Sequence, residues 1–130
     1  MPEHPLTIVS NRGPAEFNRN ERGERIVHRG GGGLVTALSG LVSHRNALWV
    51  ASAMTEEDVV VASEGEGPVS IELDGISYDV QMIASDPSAY DRFYNVIANP
   101  ILWFIQHYLW DLSNAPDIRQ DEVDAWEEGW

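Results

Sequence analysis

Arg12 and the run Gly30-Gly31-Gly32-Gly33 are the residues of this chain best suited to hold a ligand, and the ligand they suit is an anion. Four successive glycines let the backbone turn tightly and bring its N–H groups close to a bound molecule. Leu34, Val35, Leu38, Leu41 and Val42 then recur at helical spacing, so the loop opens a helix. A helix N-terminus presents unpaired N–H donors and the positive end of its dipole, and phosphate is the natural occupant. Arg12 adds a planar fork that donates bidentate charge-assisted bonds to phosphate. Taken singly, a glycine run is also a plain flexible loop and an arginine also decorates turns; their pairing behind a strand is what favours a site. The spacing is neither that of the dinucleotide fingerprint nor that of the Walker loop, which needs Lys-Ser/Thr after its last glycine. The chain contains no lysine.

The elements that must position these residues follow from local pattern. Leu6–Ser10 is a β-prone run bounded by Pro5 and by Asn11-Arg12-Gly13-Pro14. Ala47–Ser52 is a second, buried strand, parallel to the first because a helix over Gly33–His44 separates them. The unit is βαβ with a right-handed crossover, and its ligand collects at the carboxyl ends of the strands, beside Asn11 and Arg12. Ala15–Asn18 and Arg25–His28 can pair as an inserted hairpin with Asn20-Glu21-Arg22-Gly23 at its tip, or form a loop that waits for ligand.

Thr55-Glu56-Glu57-Asp58 is a capping arrangement that predicts a short helix, with Val59-Val60-Val61 arguing against a long one. Val69–Leu73 alternates, Asp74-Gly75 turns, and Ile76–Met82 returns as a hairpin partner. Asp86-Pro87 and Asn99-Pro100 both carry the N-cap and first-position proline that start helices. Ile101–Trp110 is apolar almost all round, which calls for an interior or a partner. Asp111–Gln120 is expected to be a loop, and a further helix begins at Asp121.

Composition sets the outer bounds. With 130 residues the chain is one small domain or part of a larger one, and 43% hydrophobic residues with five tryptophans can bury a core. The absence of cysteine excludes disulfides, thiolate metal sites and a cysteine nucleophile. No signal-like opening and no apolar run of spanning length is present, so the expectation is a soluble, cytoplasmic chain away from membranes. The net charge of −13 is unevenly spread: residues 1–48 hold six arginines against four glutamates, and residues 49–130 hold two arginines against 17 acids. That distribution argues against a nucleic-acid partner and leaves a small phosphorylated ligand on the arginine-bearing part. His28 and His44 form no ligand cluster, so no metal is expected. Glu56/Glu57 and Glu127/Glu128 have the look of solvated faces.

In order along the chain, Ile8-Val9-Ser10-Asn11-Arg12, Gly31-Gly32-Gly33-Leu34-Val35, Leu48-Trp49-Val50, and Tyr94 with Asn99, Leu102, Trp103, His107 and Tyr108 resemble the amino-terminal part of the trehalose-6-phosphate synthase family. The resemblance implies an α/β fold: a partial Rossmann-like, GT-B type N-terminal domain with a mostly parallel sheet and an inserted β-hairpin. It implies a retaining glycosyltransferase that moves glucose from UDP-glucose to glucose 6-phosphate in trehalose biosynthesis, with no cofactor or metal. Arg12, Tyr94 and Trp103 would then bind the acceptor glucose 6-phosphate, and Gly32 and Gly33 would belong to the nucleotide-sugar loop. Ring faces suit sugar C–H surfaces, and a tyrosine hydroxyl suits a phosphate oxygen.

Two departures bear on function. Ser52 stands where many family members carry a second tryptophan, which puts acceptor preference in question. The family's catalytic and donor-binding groups lie beyond the matched stretch, so the catalytic residues are unknown. Residues 1–130 are expected to be an incomplete acceptor-side domain without the C-terminal donor-binding domain, inactive alone; the intact enzyme is compatible with a homo-oligomer. The alternatives are a non-catalytic sugar-phosphate-binding module, or a fragment of a related pseudo-glycosyltransferase or glucosylglycerol-phosphate synthase.

Overall fold

The first strand, β1 (Leu6–Ser10), lies parallel to β4 (Ala47–Ser52), with Ile8 opposite Trp49 and Ser10 opposite Ala51. The computed structural model describes residues 6–107 and 116–129 and divides into two units, Met1–Ala84 and Ser85–Trp130. In the first unit the sheet order is β1-β4-β6-β5, where β5 is Val69–Leu73 and β6 is Ile76–Ile83. β4 and β6 are parallel, and β5 returns antiparallel at the edge through the Asp74-Gly75 turn, where both residues have positive φ. Alternation along the strands directs Ile8, Trp49, Ala51, Tyr78, Val80 and Met82 into the core. Val35 and Val42 of helix α1 (Gly33–Val42) and Val61 of helix α2 (Glu56–Glu64) belong to the same core. The mainly parallel α/β sheet and the separate hairpin β2 (Ala15–Arg19) with β3 (Arg25–Arg29) agree with the sequence expectation.

One boundary in this unit differs from expectation, and the short helix expected after Thr55 takes in the whole β-branched run. α1 ends at Val42, two residues short of His44, with Ser43 at its C-cap. α2 runs through Val59-Val60-Val61 to Glu64. The capping box accounts for this: Thr55 Oγ1 accepts the Asp58 N–H at 2.9 Å, and Asp58 Oδ2 accepts the Thr55 N–H at 3.0 Å. The modest helix cost of the β-branched run is further offset by burial of Val61.

The second unit contains α3 (Pro87–Asp91), a π-helical stretch Arg92–Leu102, α4 (Trp103–Gln106) and α5 (Gln120–Gly129). Asp86 caps α3 as expected, its Oδ1 accepting the Ala89 N–H at 2.9 Å. Asn99-Pro100 does not start a helix. Pro100 sits inside the π-helical stretch, where wider i→i+5 turns relieve the clash its ring would make in an α-helix. Ile97, Ile101 and Ala125 form a small core here. The apolar segment from Ile101 is not buried all round: Trp103 and Ile105 are 45% and 50% exposed. Of the expected loop over Asp111–Gln120, residues 111–115 lie outside the described residues, as do Tyr108 and Trp110; residues 116–119 have no regular structure, as expected, and Gln120 opens α5.

Candidate functional site: an arginine turn beside a glycine loop

Chain reversal at the carboxyl end of β1 is fixed from two sides. The Ser52 N–H donates to the Asn11 carbonyl at 3.1 Å, and Ser10 Oγ donates to the Arg12 carbonyl at 2.6 Å. Ser10 Oγ in turn accepts the indole N–H of Trp49 at 2.8 Å, and Trp49 is completely buried. A Cβ on Gly13 would stand 2.9 Å from the Ala51 Cβ, so the backbone passes closer to β4 than any other residue allows. The Arg12 side chain is exposed, and it has no ion-pair partner among the described residues. Arg19, Arg25 and Arg29 do have partners, so only part of the N-terminal arginine excess is available to a ligand.

The glycine run returns to this turn. The Gly30 N–H donates to the Pro14 carbonyl at 2.7 Å, and a Cβ on Gly30 would collide with the Gly13 carbonyl oxygen. Gly30 is therefore pinned, whereas added Cβ atoms on Gly31, Gly32 and Gly33 would meet nothing. Gly32 has φ 122 and ψ 152, a region essentially reserved for glycine. As N-cap of α1 it offers no side-chain oxygen, and no acidic residue lies in the first turn. No side-chain cap satisfies the first N–H groups of α1, and the glycines before it leave room beside the backbone. Arg12, Gly32 and Gly33 all belong to the first unit.

The hairpin that carries the chain from Arg12 to Gly30 is latched to α2. The Phe17 N–H donates to Asp58 Oδ1 at 2.7 Å, and Thr55 Oγ1 donates to the Phe17 carbonyl at 2.5 Å. Arg19 Nε and Arg25 Nε reach the two oxygens of Glu57 at 2.7 and 2.6 Å, and Arg25 also pairs with Glu64 at 2.7 Å. Glu57, expected on a solvated face with Glu56, is buried instead; Glu56 is exposed. Two arginines from a hairpin remote in sequence make that burial tolerable. Sequence reasoning found the cap at Thr55 but not the reach of Asp58 and Glu57 across roughly 30–40 residues.

The Arg25 hydrogen bond holds the Glu57 carboxyl below its ordinary value of 4.5, against the upward push of burial and with help from Arg19. A depressed carboxylate pKa stabilises the fold fully above the unfolded value, and that stabilisation is lost as pH falls through the folded value. Thermal melts of the chain below pH 4.5 are therefore expected to lose stability with a Glu57-dependent component. In Glu57→Gln that component should be absent; an identical acid slope in both proteins would remove Glu57 as its source.

Tyr94 and Trp103 belong to the second unit. Tyr94 is half-buried and stacks on Tyr90, ring centroids 5.7 Å apart. Trp103 stacks on His107 at 4.3 Å, with its carbonyl 2.8 Å from His107 Nδ1. Nine residues make about two and a half α-helical turns, which would set the two rings on opposite sides. The stretch between them is π-helical over Arg92–Leu102, so α-helical spacing does not apply to this pair. Among the described residues no three of His, Asp and Glu could hold a metal ion, and no helix is long and apolar enough to cross a membrane.

The mainly parallel sheet with helices between its strands and a separate hairpin ahead of α1 define a Rossmann-like α/β unit. Residues 4–128 match glycosyltransferase family 20, and the chain belongs to that family. An alpha,alpha-trehalose-phosphate synthase [UDP-forming] 2 of Aspergillus fumigatus is 35% identical over 82% of the chain. An alpha,alpha-trehalose-phosphate synthase [UDP-forming] 1 of Aspergillus niger is 34% identical over 96%, and a trehalose-6-phosphate synthase of Mycobacterium sp. is 34% identical over 80%. The chain spans 20–22% of these relatives' lengths. A solved trehalose-6-phosphate synthase, OtsA, has the same fold over 95% of this chain and 23% of its own, with TM-score 0.52 and 20% identity.

Proposed function

We propose that the chain is the amino-terminal, acceptor-side part of a trehalose-6-phosphate synthase, acting in the cytoplasm without a cofactor. Its substrates are UDP-glucose as donor and glucose 6-phosphate as acceptor. The observation that carries this reading is the exposed Arg12, without an ion-pair partner among the described residues, on a fixed turn that packs against Gly30 of the loop opening α1. Arg12 donates its guanidinium fork to the acceptor phosphate. Gly32 and Gly33 let the donor's diphosphate approach the backbone N–H groups of α1. Tyr94 and Trp103 offer ring faces to the sugar, and the catalytic groups come from sequence outside these residues. That the chain covers about a fifth of its relatives supports an incomplete domain needing a C-terminal donor half.

The test is an assay of the natural protein for trehalose 6-phosphate formed from UDP-glucose and glucose 6-phosphate, with its intact mass measured alongside. Product from a protein longer than 130 residues supports the reading. A natural protein that binds glucose 6-phosphate but forms no product is a binding module instead. Arg12→Ala is expected to weaken glucose 6-phosphate binding by about 1.5–3 kcal/mol, the worth of a charged hydrogen bond. An acceptor affinity unchanged by Arg12→Ala would remove Arg12 from the site.

A further inference from the structure

We infer that Ser10 is the positioning residue for Arg12, held in that role by the indole of Trp49. The inference rests on the reading of Arg12 as the phosphate-binding side chain and extends it to two residues that touch no substrate. The geometry is a relay of two directed bonds. Trp49 Nε1–H donates to Ser10 Oγ at 2.8 Å, and the Ser10 hydroxyl hydrogen goes to the Arg12 carbonyl at 2.6 Å. An indole nitrogen can only donate, so it takes a lone pair of the hydroxyl and leaves the O–H free to point onward. The direction of the relay is thereby settled by chemistry: core indole, strand hydroxyl, turn carbonyl.

Register makes the relay available. Ser10 lies opposite Ala51 and Ile8 lies opposite Trp49, so Ser10 and Trp49 are diagonal neighbours. The indole cannot drift, because it is fully buried and meets Tyr78 edge-on at 6.2 Å. With the Ser52 N–H on the Asn11 carbonyl, both peptide groups flanking the Arg12 Cα are tied to the sheet. A long exposed side chain loses rotamer freedom when it binds, so a fixed Cα limits what remains to be ordered to the side chain itself.

The experiment uses the natural full-length protein titrated with glucose 6-phosphate and, separately, with UDP-glucose. Ser10→Ala is expected to weaken glucose 6-phosphate binding about fivefold to tenfold and leave UDP-glucose binding unchanged; Ser10→Thr, which keeps the hydroxyl, should restore the acceptor. Because Ser10 acts through Arg12, Ser10→Ala in an Arg12→Ala background should add nothing. Trp49→Phe, which keeps an aromatic ring in the core and removes the N–H, gives an independent check and should lower acceptor affinity in the same sense, with a melt run alongside to register the smaller ring. Full acceptor affinity in Ser10→Ala, equal losses for both ligands, or additive losses in the double variant would each overturn the relay while the role of Arg12 stands. A natural protein that ignores glucose 6-phosphate, or binds it unchanged after Arg12→Ala, fails the underlying reading and takes the relay with it.

Discussion

Asp58→Ala is expected to destabilise the first unit by about 3–5 kcal/mol, since three backbone donors lose a charged acceptor at once and two of them lie at a helix start. The carboxylate is completely buried and accepts the N–H groups of Phe17, Met54 and Thr55 at 2.7–3.0 Å. Alanine removes the acceptor and leaves those donors without their partner, while Thr55 loses the reciprocal half of its capping box. The loss exceeds that of an ordinary cap because the same side chain joins α2 to β2. Chemical denaturation of Asp58→Ala beside Asp58→Asn measures it. Asparagine keeps one oxygen and should recover part of the stability, chiefly on the side that faces Phe17 or on the capping side, not both. A midpoint unchanged in the alanine variant would mean that the Thr55–Phe17 hydrogen bond and the arginine–Glu57 pairs hold the hairpin without Asp58.

That latch marks the limit of what local pattern reveals. β1, the hairpins and the caps at Thr55 and Asp86 were legible because each depends on a few adjacent residues: alternation, a turn-forming Asp-Gly, an acceptor three residues before a donor. The glycine loop leading into α1 was legible for the same reason, since four consecutive glycines are followed at once by apolar residues at helical spacing. Glu57 was misjudged because its partners Arg19 and Arg25 stand on a hairpin more than 30 residues away. Pro100 was misjudged because Asn-Pro is a good local start signal, overridden here by a helix that continues through it in wider turns. Ser10 carries no functional signal of its own in the sequence. Its contact with Trp49 exists only once the parallel register of β1 and β4 is set, and no single-strand pattern encodes that register.

Gly30→Ala carries the other large effect, and it separates glycines that serve the fold from glycines that serve a ligand. The added methyl would run into the Gly13 carbonyl oxygen and approach the Pro14 carbonyl carbon to 3.0 Å. Both neighbours are backbone, so relief requires moving the turn that carries Arg12 or breaking the Gly30–Pro14 hydrogen bond. Overpacking and a lost buried hydrogen bond together give an expected loss of about 3–5 kcal/mol. Gly31→Ala and Gly33→Ala meet no atom and lie at ordinary φ, so each should leave the melting temperature nearly unchanged. Gly32→Ala is intermediate, costing about 1–3 kcal/mol for a backbone conformation that favours glycine. If the open glycines exist to admit a diphosphate, Gly33→Ala should cut UDP-glucose affinity at least tenfold while the fold stays intact. Donor affinity that survives Gly33→Ala would make the loop a hinge of the fold and leave Arg12 as the anion-binding group of this unit.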